Sequence, residues 1–187
     1  MHSLENLRSR LPDAARDIKL NLQTVLQTTA LSRAEAWGTA LTSAATARSA
    51  ALQAAIVAEA RHELGHEAAE PVVQDALAAA ALMAMNNVYY RFRHLIEKPV
   101  YADKPARLRM NRLGKPSTDK RSFELFCLAA SAINGCETCM RAHERVVTSA
   151  GLSEDAVHDA IRIASTVHAA AVALELYPFE PDVAAVA

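Results

Sequence analysis

The sequence has little net charge, few aromatic residues and no long run of uncharged apolar residues. Its formal net charge is −1 and its pI is about 6.7, which gives no electrostatic case for binding nucleic acid. No stretch approaches the roughly 20 apolar residues that a membrane-spanning helix needs, and the N-terminal segment contains acidic residues, unlike a secretory signal. We therefore expect a cytoplasmic protein that binds neither nucleic acid nor a membrane.

The sequence also lacks the alternating polar and apolar pattern of β-strands. Apolar residues make up 51% of the 187 residues but aromatic residues only 5%, because alanine is abundant and favours closely packed helices. We therefore predict an all-α fold in a single domain. The predicted helices lie near residues 3–10, 13–28, 32–46, 49–64, 69–84, 86–97, 119–133, 136–149 and 153–176, with a loop at 98–118.

Cysteine is scarce as well, with three residues in the chain. So few cysteines exclude a disulfide-rich scaffold, and in a reducing compartment they predict a catalytic pair and one buried single thiol. Cys136 and Cys139 form the Cys-x-x-Cys pair, and Cys127 is the single cysteine.

Acid/base residues accompany the dithiol at helical spacing. His143 follows Cys139 by four residues, so on a helix Cys136, Cys139 and His143 share one face. Neighbours at this spacing are close enough for a disulfide and for a thiol to imidazole hydrogen bond. Glu124 precedes the pair on another predicted helix, and an antiparallel return could bring its carboxylate near His143, directly or through a water.

The dithiol is predicted to lie in the first turn of a helix. Asn134-Gly135 interrupts the preceding apolar run, and residues 136–148 contain neither glycine nor proline. The unpaired N–H groups and the dipole of a helix N-terminus favour a thiolate, so cysteines there have pKa values below about 8.5. A neutral His143 could also accept the Cys139 proton.

Metal binding is the main alternative for these residues. Two cysteines and one histidine are short of the four ligands of a structural zinc site, and His158 and His168 are isolated in sequence. An inert pair of helical cysteines is a further alternative. The combination of the dithiol with His143 and Glu124 favours redox chemistry over both.

A second motif, His62-Glu-Leu-Gly-His66, matches the HExxH pattern of zinc proteases. No third ligand follows at the usual spacing, and Gly65 and Pro71 indicate that a helix ends there. We interpret the two histidines as solvated side chains at a helix terminus and predict no metal site.

The pattern Glu-x11-Cys-x-x-Cys-x3-His, within FELFCLAASAINGCETCMRAHERVV, resembles the alkyl hydroperoxide reductase AhpD family, and the resemblance extends over essentially the whole chain. It implies an AhpD-like helical fold, a homotrimer and a thiol peroxidase that uses alkyl hydroperoxides and the peroxiredoxin AhpC. It also implies that electrons come from the dihydrolipoyl group of a 2-oxoacid dehydrogenase component, with no bound cofactor. Thr138 stands where some members carry histidine, so a role for that histidine cannot be transferred.

The expected mechanism assigns one role to each residue. Glu124 orients His143, with a water as the expected bridge, and His143 draws the proton from Cys139. The Cys139 thiolate attacks the peroxide and becomes a sulfenic acid, while Cys136 donates a proton and then closes a redox-active Cys136–Cys139 disulfide. Cys139 would also form the mixed disulfide with AhpC. The alternative is a thioredoxin-like disulfide reductase without direct peroxidase activity; a lactone-acting decarboxylase-like enzyme and a zinc-binding module are less well supported.

The chain is also predicted to repeat itself with an offset of 48 residues. Asn86-Asn87 then aligns with Asn134-Gly135, and Arg91 with Cys139. The expected organisation is two related helical halves: a non-catalytic half at 1–98, a connecting loop at 99–118 and a catalytic half at 119–187. Because the copy lacks the reactive residues, we expect Arg91 to be dispensable for the thiol reaction.

Overall fold

The computed structural model describes residues 3–27 and 29–177, and all regular structure in these ranges is helical. The all-α prediction is therefore confirmed, while residue 28 of the predicted second helix and residues 1–2 and 178–187 of the predicted domain lie outside the described residues. The α-helices are α1 (Leu4–Ser9), α2 (Arg16–Thr24), α3 (Arg33–Thr46), α4 (Ala50–Leu64), α5 (His66–Ile96), α6 (Pro99–Ala102), α7 (Lys120–Ile133), α8 (Glu137–Ser149) and α9 (Glu154–Leu176). Short 3-10 turns lie at Asp13–Ala15 and Asn111–Gly114.

Five predicted helices match α3, α4, α7, α8 and α9 to within one residue. The extra residue is in each case the N-cap. The side chains of Ser32, Asp119 and Ser153 accept a hydrogen bond from a backbone N–H group of the first turn, which explains why the helices begin there. The predicted loop at 98–118 is irregular except for α6 and the second 3-10 turn.

The predicted break at Asn86-Asn87 is wrong, because α5 runs without interruption for 31 residues. Both asparagines are buried. The Asn87 amide donates to the Ser131 hydroxyl at 2.9 Å and to the Met83 sulfur at 3.7 Å. Asparagine costs a helix only a few tenths of a kcal/mol relative to alanine, about 0.7 at most, and side-chain partners on a neighbouring helix offset that cost.

Helix α3 lies at the centre of the molecule, in contact with α4, α5, α7 and α9. Its small residues allow this close packing: a Cβ atom added to Gly38 would lie 2.0 Å from the Phe126 ring of α7. An alanine at this position would displace the ring. Gly38 therefore leaves room for the Phe126 side chain of α7, the helix that carries Glu124.

A buried carboxylate fastens the connecting loop to α5. The side chain of Asp75 is fully buried and pairs with Arg112 at 2.5 Å. It also accepts hydrogen bonds from the backbone N–H groups of Ser117 and Thr118 at 3.0 and 2.7 Å. Burial alone would raise the pKa of Asp75, but these hydrogen bonds outweigh it and hold the pKa below its usual value. The residues that precede α7 are thereby tied to the first half of the chain.

Among the described helices, α5 is long and apolar enough to cross a membrane by length and composition alone. Its most apolar window has a mean hydropathy of 1.2, and 44% of that window is buried inside the protein. The helix packs against α3, α4, α7 and α8. These contacts are those of a core helix.

Candidate functional site

The two cysteines lie where α7 turns into α8, as the sequence predicts. Gly135 has a φ of 66°, which lets the chain reverse direction. Cys136 is the N-cap of α8, its N–H donates to the Ser131 carbonyl at 3.0 Å and its carbonyl accepts from the N–H of Met140 at 2.9 Å. Cys139 is the third residue of α8. The dithiol thus lies in the first helical turn, where unpaired N–H groups favour negative charge.

Cys136 and Cys139 are joined as a disulfide, with their Cα atoms 5.3 Å apart. Cys136 is fully buried, whereas Cys139 retains 6% of its accessible surface. Both residues are therefore buried, and Cys139 is the one that keeps a small exposed surface.

His143 and Glu124 form a direct pair beside the disulfide. The Nδ1 atom of His143 lies 2.6 Å from Oε2 of Glu124, and their side chains are only 12% and 10% exposed. The expected bridging water is therefore wrong, because α7 and α8 pack closely enough for contact. In the tautomer whose Nδ1–H donates to the Glu124 carboxylate, Nε2 is left as the basic atom. His143 follows Cys139 by one turn on the same face of α8.

Exposed charged side chains lie next to the two cysteines. Glu137, between the two cysteines, contacts Arg141 at 2.9 Å and His94 of α5 at 3.6 Å. The hydrogen bond from Arg141, followed by the charges of Arg141 and His94, lowers the pKa of Glu137. Thr138 is also exposed. Residues of the first half therefore reach the first turn of α8.

The third thiol, Cys127, is free and buried, as predicted. Its burial raises the pKa well above the usual value, and the negative charges of Glu124 and Asp75 raise it further. A buried neutral thiol is a poor nucleophile. Cys127 is a core residue of α7 rather than a partner of the disulfide.

The two histidines of the HExxH motif do not lie on one helix. Helix α4 ends at Leu64, Gly65 has a φ of 82°, and α5 begins at His66, which confirms the predicted helix terminus. Glu63 accepts hydrogen bonds from Trp37 at 2.9 Å and Arg33 at 2.6 Å. Within the part of the chain that the structure describes, no group of three or more His, Cys, Asp or Glu residues could hold a metal ion.

The sequence does not predict the polar contacts that α5 makes with the turn between α7 and α8. The Asn87 carbonyl oxygen accepts from the Asn134 side chain at 2.9 Å, and the Asn87 amide donates to Ser131. The Arg91 guanidinium donates to the backbone carbonyl of Asn134. The signal in the sequence is weak: two polar residues, Asn87 and Ser131, within apolar helices. Their pairing across helices depends on the packing of α5 against α7.

Known proteins resemble this chain at two levels. The model of the carboxymuconolactone decarboxylase family matches residues 99–178. An alkyl hydroperoxide reductase AhpD of Anaeromyxobacter dehalogenans strain 2CP-C is 62% identical over 94% of this chain and 92% of its own length. The AhpD of Anaeromyxobacter sp. strain K is 60% identical over the whole of both chains. The AhpD of Gluconacetobacter diazotrophicus is 48% identical over 92% of this chain and 93% of its own.

Proposed function

Because the chain belongs to the AhpD family of alkyl hydroperoxide reductases, we propose that it is an antioxidant oxidoreductase that reduces alkyl hydroperoxides with the Cys136–Cys139 dithiol. The observation that supports this proposal most strongly is the disulfide in the first turn of α8, with the partly buried His143–Glu124 pair one turn further along. A redox pair at a helix N-terminus and an oriented base are what thiolate chemistry requires.

The proposed reaction begins with the reduced pair. His143, oriented by Glu124, takes the proton of Cys139, and the thiolate attacks the terminal peroxide oxygen. The O–O bond breaks, Cys139 becomes a sulfenic acid, and the leaving alkoxide takes a proton from Cys136 to give the alcohol. The Cys136 thiolate then attacks the sulfenic acid and the disulfide forms. The hydroxide that is displaced takes the proton held by His143 and leaves as water. The dithiol supplies the two electrons, and no bound metal, flavin or haem takes part.

The electron donor and acceptor are protein partners in this proposal. A dihydrolipoyl group on a 2-oxoacid dehydrogenase component reduces the disulfide by thiol–disulfide exchange. The reduced pair then reduces peroxide directly, or reduces oxidised AhpC through a mixed disulfide at Cys139. The small residual exposure of Cys139, compared with none for Cys136, supports this choice of attacking sulfur.

The proposed assembly is a homotrimer in the cytoplasm, with no affinity for nucleic acid or membrane. Large apolar side chains near the end of α5 support an interface between copies: Val88 is 61% exposed, Leu95 69% and Val100 56%. Monomers of soluble proteins rarely leave such side chains clustered in water. A single species of trimer mass in sedimentation equilibrium would agree with this assembly, and a monomer at micromolar concentration would contradict it.

One set of turnover measurements tests the function. The protein is supplied with tert-butyl hydroperoxide, with a reduced lipoyl protein as donor, in the presence and absence of AhpC. Peroxide consumption without AhpC supports direct peroxidase activity. Consumption only with AhpC identifies the alternative, a disulfide reductase without peroxidase activity of its own. Failure of both reactions, with the disulfide remaining oxidised, would overturn the proposed function.

A further inference from the structure

We propose that Asn87 and Arg91 of α5 are positioning residues for the Cys136–Cys139 pair, on which they act through the turn between α7 and α8. This inference rests on the dithiol function proposed above. It also reverses the expectation that Arg91 is dispensable because the first half carries no reactive residues.

Asn87 joins the two sides of the turn. It is 1% exposed, its amide donates to the Ser131 hydroxyl at 2.9 Å, and its carbonyl oxygen accepts from the Asn134 side chain at 2.9 Å. Ser131 in turn accepts the N–H of Cys136 through its backbone carbonyl at 3.0 Å. One buried side chain of the first half therefore holds both the residue that binds Cys136 and the residue that ends α7.

Arg91 lies one helical turn after Asn87 and donates to the backbone carbonyl of Asn134, two residues before Cys136. This contact places a permanent positive charge beside the turn that carries the first cysteine. The first turn of α8 begins at this same place, and no side chain of its N-cap residue Cys136 caps its N–H groups, which are unpaired within the helix.

These contacts have a chemical consequence for the reduced pair. A cation and oriented N–H groups stabilise a thiolate relative to a thiol, and a stabilised dithiol form makes the disulfide easier to reduce. Loss of the Arg91 charge should therefore lower the thiolate fraction and shift the equilibrium toward the disulfide. Loss of Asn87 frees the turn and should weaken the same stabilisation.

The decisive variant is Arg91→Gln, compared with Arg93→Gln. Arg93 is on the same helix and also donates to a backbone carbonyl, that of Ala102 in α6. The full-length protein is equilibrated with glutathione at pH 7, where the disulfide takes two electrons and two protons from two glutathione molecules. The second readout is the pH dependence of alkylation of the reduced protein by iodoacetamide.

We expect Arg91→Gln to shift the glutathione equilibrium toward the protein disulfide by about three- to tenfold and to move the alkylation midpoint to higher pH, because a tenfold change corresponds to about one pKa unit. Arg93→Gln should stay within about twofold of the wild type. Equal values for Arg91→Gln and Arg93→Gln would overturn the role of Arg91 and with it the proposal.

Asn87→Ala tests the other contact, with Asn86→Ala as its matched control, since Asn86 is a buried neighbour whose carbonyl oxygen has no hydrogen-bond partner among the described residues. A shift of about threefold toward the disulfide in Asn87→Ala alone is expected. If Asn87→Ala does not fold, the Arg91→Gln result decides whether the proposal holds. The Arg91 side chain is only partly buried, so its replacement is compatible with folding. A wild-type pair that does not exchange with glutathione at all would instead contradict the proposed function.

Discussion

Residues 84–88 of α5 and residues 132–136 at the end of α7 have similar sequences but different conformations. In α5 the segment Ala-Met-Asn-Asn-Val continues the helix, whereas Ala-Ile-Asn-Gly-Cys ends one helix and begins another. Gly135 has a φ of 66°, a value that side chains other than glycine rarely adopt. The comparison shows that one glycine separates a continuous core helix from a turn that produces a helix N-terminus at the redox pair.

Burial differs between the two segments as well. Val88 is 61% exposed, while Cys136, which aligns with it at an offset of 48 residues, is fully buried. Leu95, which aligns with His143, is 69% exposed. The repeat itself stays a prediction, and the two halves differ at the turn. The first half contacts the turn before Cys136 through the α5 side chains of Asn87 and Arg91. It therefore adjoins the site although it lacks the reactive residues.

The largest effect is expected from removing either sulfur of the pair. Cys136→Ser and Cys139→Ser should each abolish turnover, because neither variant can close the intramolecular disulfide. Cys127→Ala should retain turnover. Cys136→Ser should accumulate a sulfenic acid or a mixed disulfide on Cys139, detected by mass spectrometry. Substantial activity in either serine variant would contradict the dithiol mechanism, and labelling of Cys136 in Cys139→Ser would reverse the two roles.

A smaller loss is expected from His143→Gln, since general base catalysis contributes about 10²–10⁴-fold. The rate of Cys139 oxidation should fall by at least about tenfold, with the helical content unchanged by circular dichroism. Glu124→Gln should have a weaker effect, because it removes the orienting charge and keeps the imidazole. His94→Gln is the control, since His94 contacts the exposed Glu137 between the two cysteines. An unchanged rate in His143→Gln would contradict the role of His143 and indicate that the helix N-terminus alone activates the Cys139 thiol.

Gly135→Ala should lower the free energy of unfolding, which tests the difference between the two segments. Nothing lies within 4 Å of an added Cβ atom, so the cost is that of a left-handed backbone, about 1–2 kcal/mol. The free energy of unfolding in urea measures it. Gly114→Ala is the matched control, because that position is equally open and has no positive φ. Equal stabilities of the two variants would contradict the role given to the Gly135 conformation.

The smallest effect is expected at the HExxH motif of the first half. The double variant His62→Ala and His66→Ala should leave peroxide turnover and metal content unchanged, because a helix break at Gly65 separates two exposed histidines. Elemental analysis of protein purified without added metal measures the second quantity. Stoichiometric zinc in the wild-type protein that is absent from the double variant would contradict this prediction and indicate a metal site.

Much of the site is predictable because its spacing is local. Cys136, Cys139 and His143 fall on one face of any helix that begins near Gly135, and the absence of glycine and proline after it predicts that helix. The direct contact of His143 with Glu124 is less predictable, since it depends on how closely two helices pack. The continuity of α5 was mispredicted because the buried partners of Asn87 lie on another helix.

The sequence by itself determined the helical class, the starts of five helices, the Cys-x-x-Cys pair and the family, because composition, capping residues and residue spacing act over a few neighbouring positions. Only the tertiary structure decided which cysteine retains access to solvent, that His143 contacts Glu124 without a water, and that α5 holds the turn before Cys136. The physical reason is that burial and contacts between helices depend on residues far apart in the chain, such as Gly38 of α3 and Phe126 of α7, which pack closely against each other.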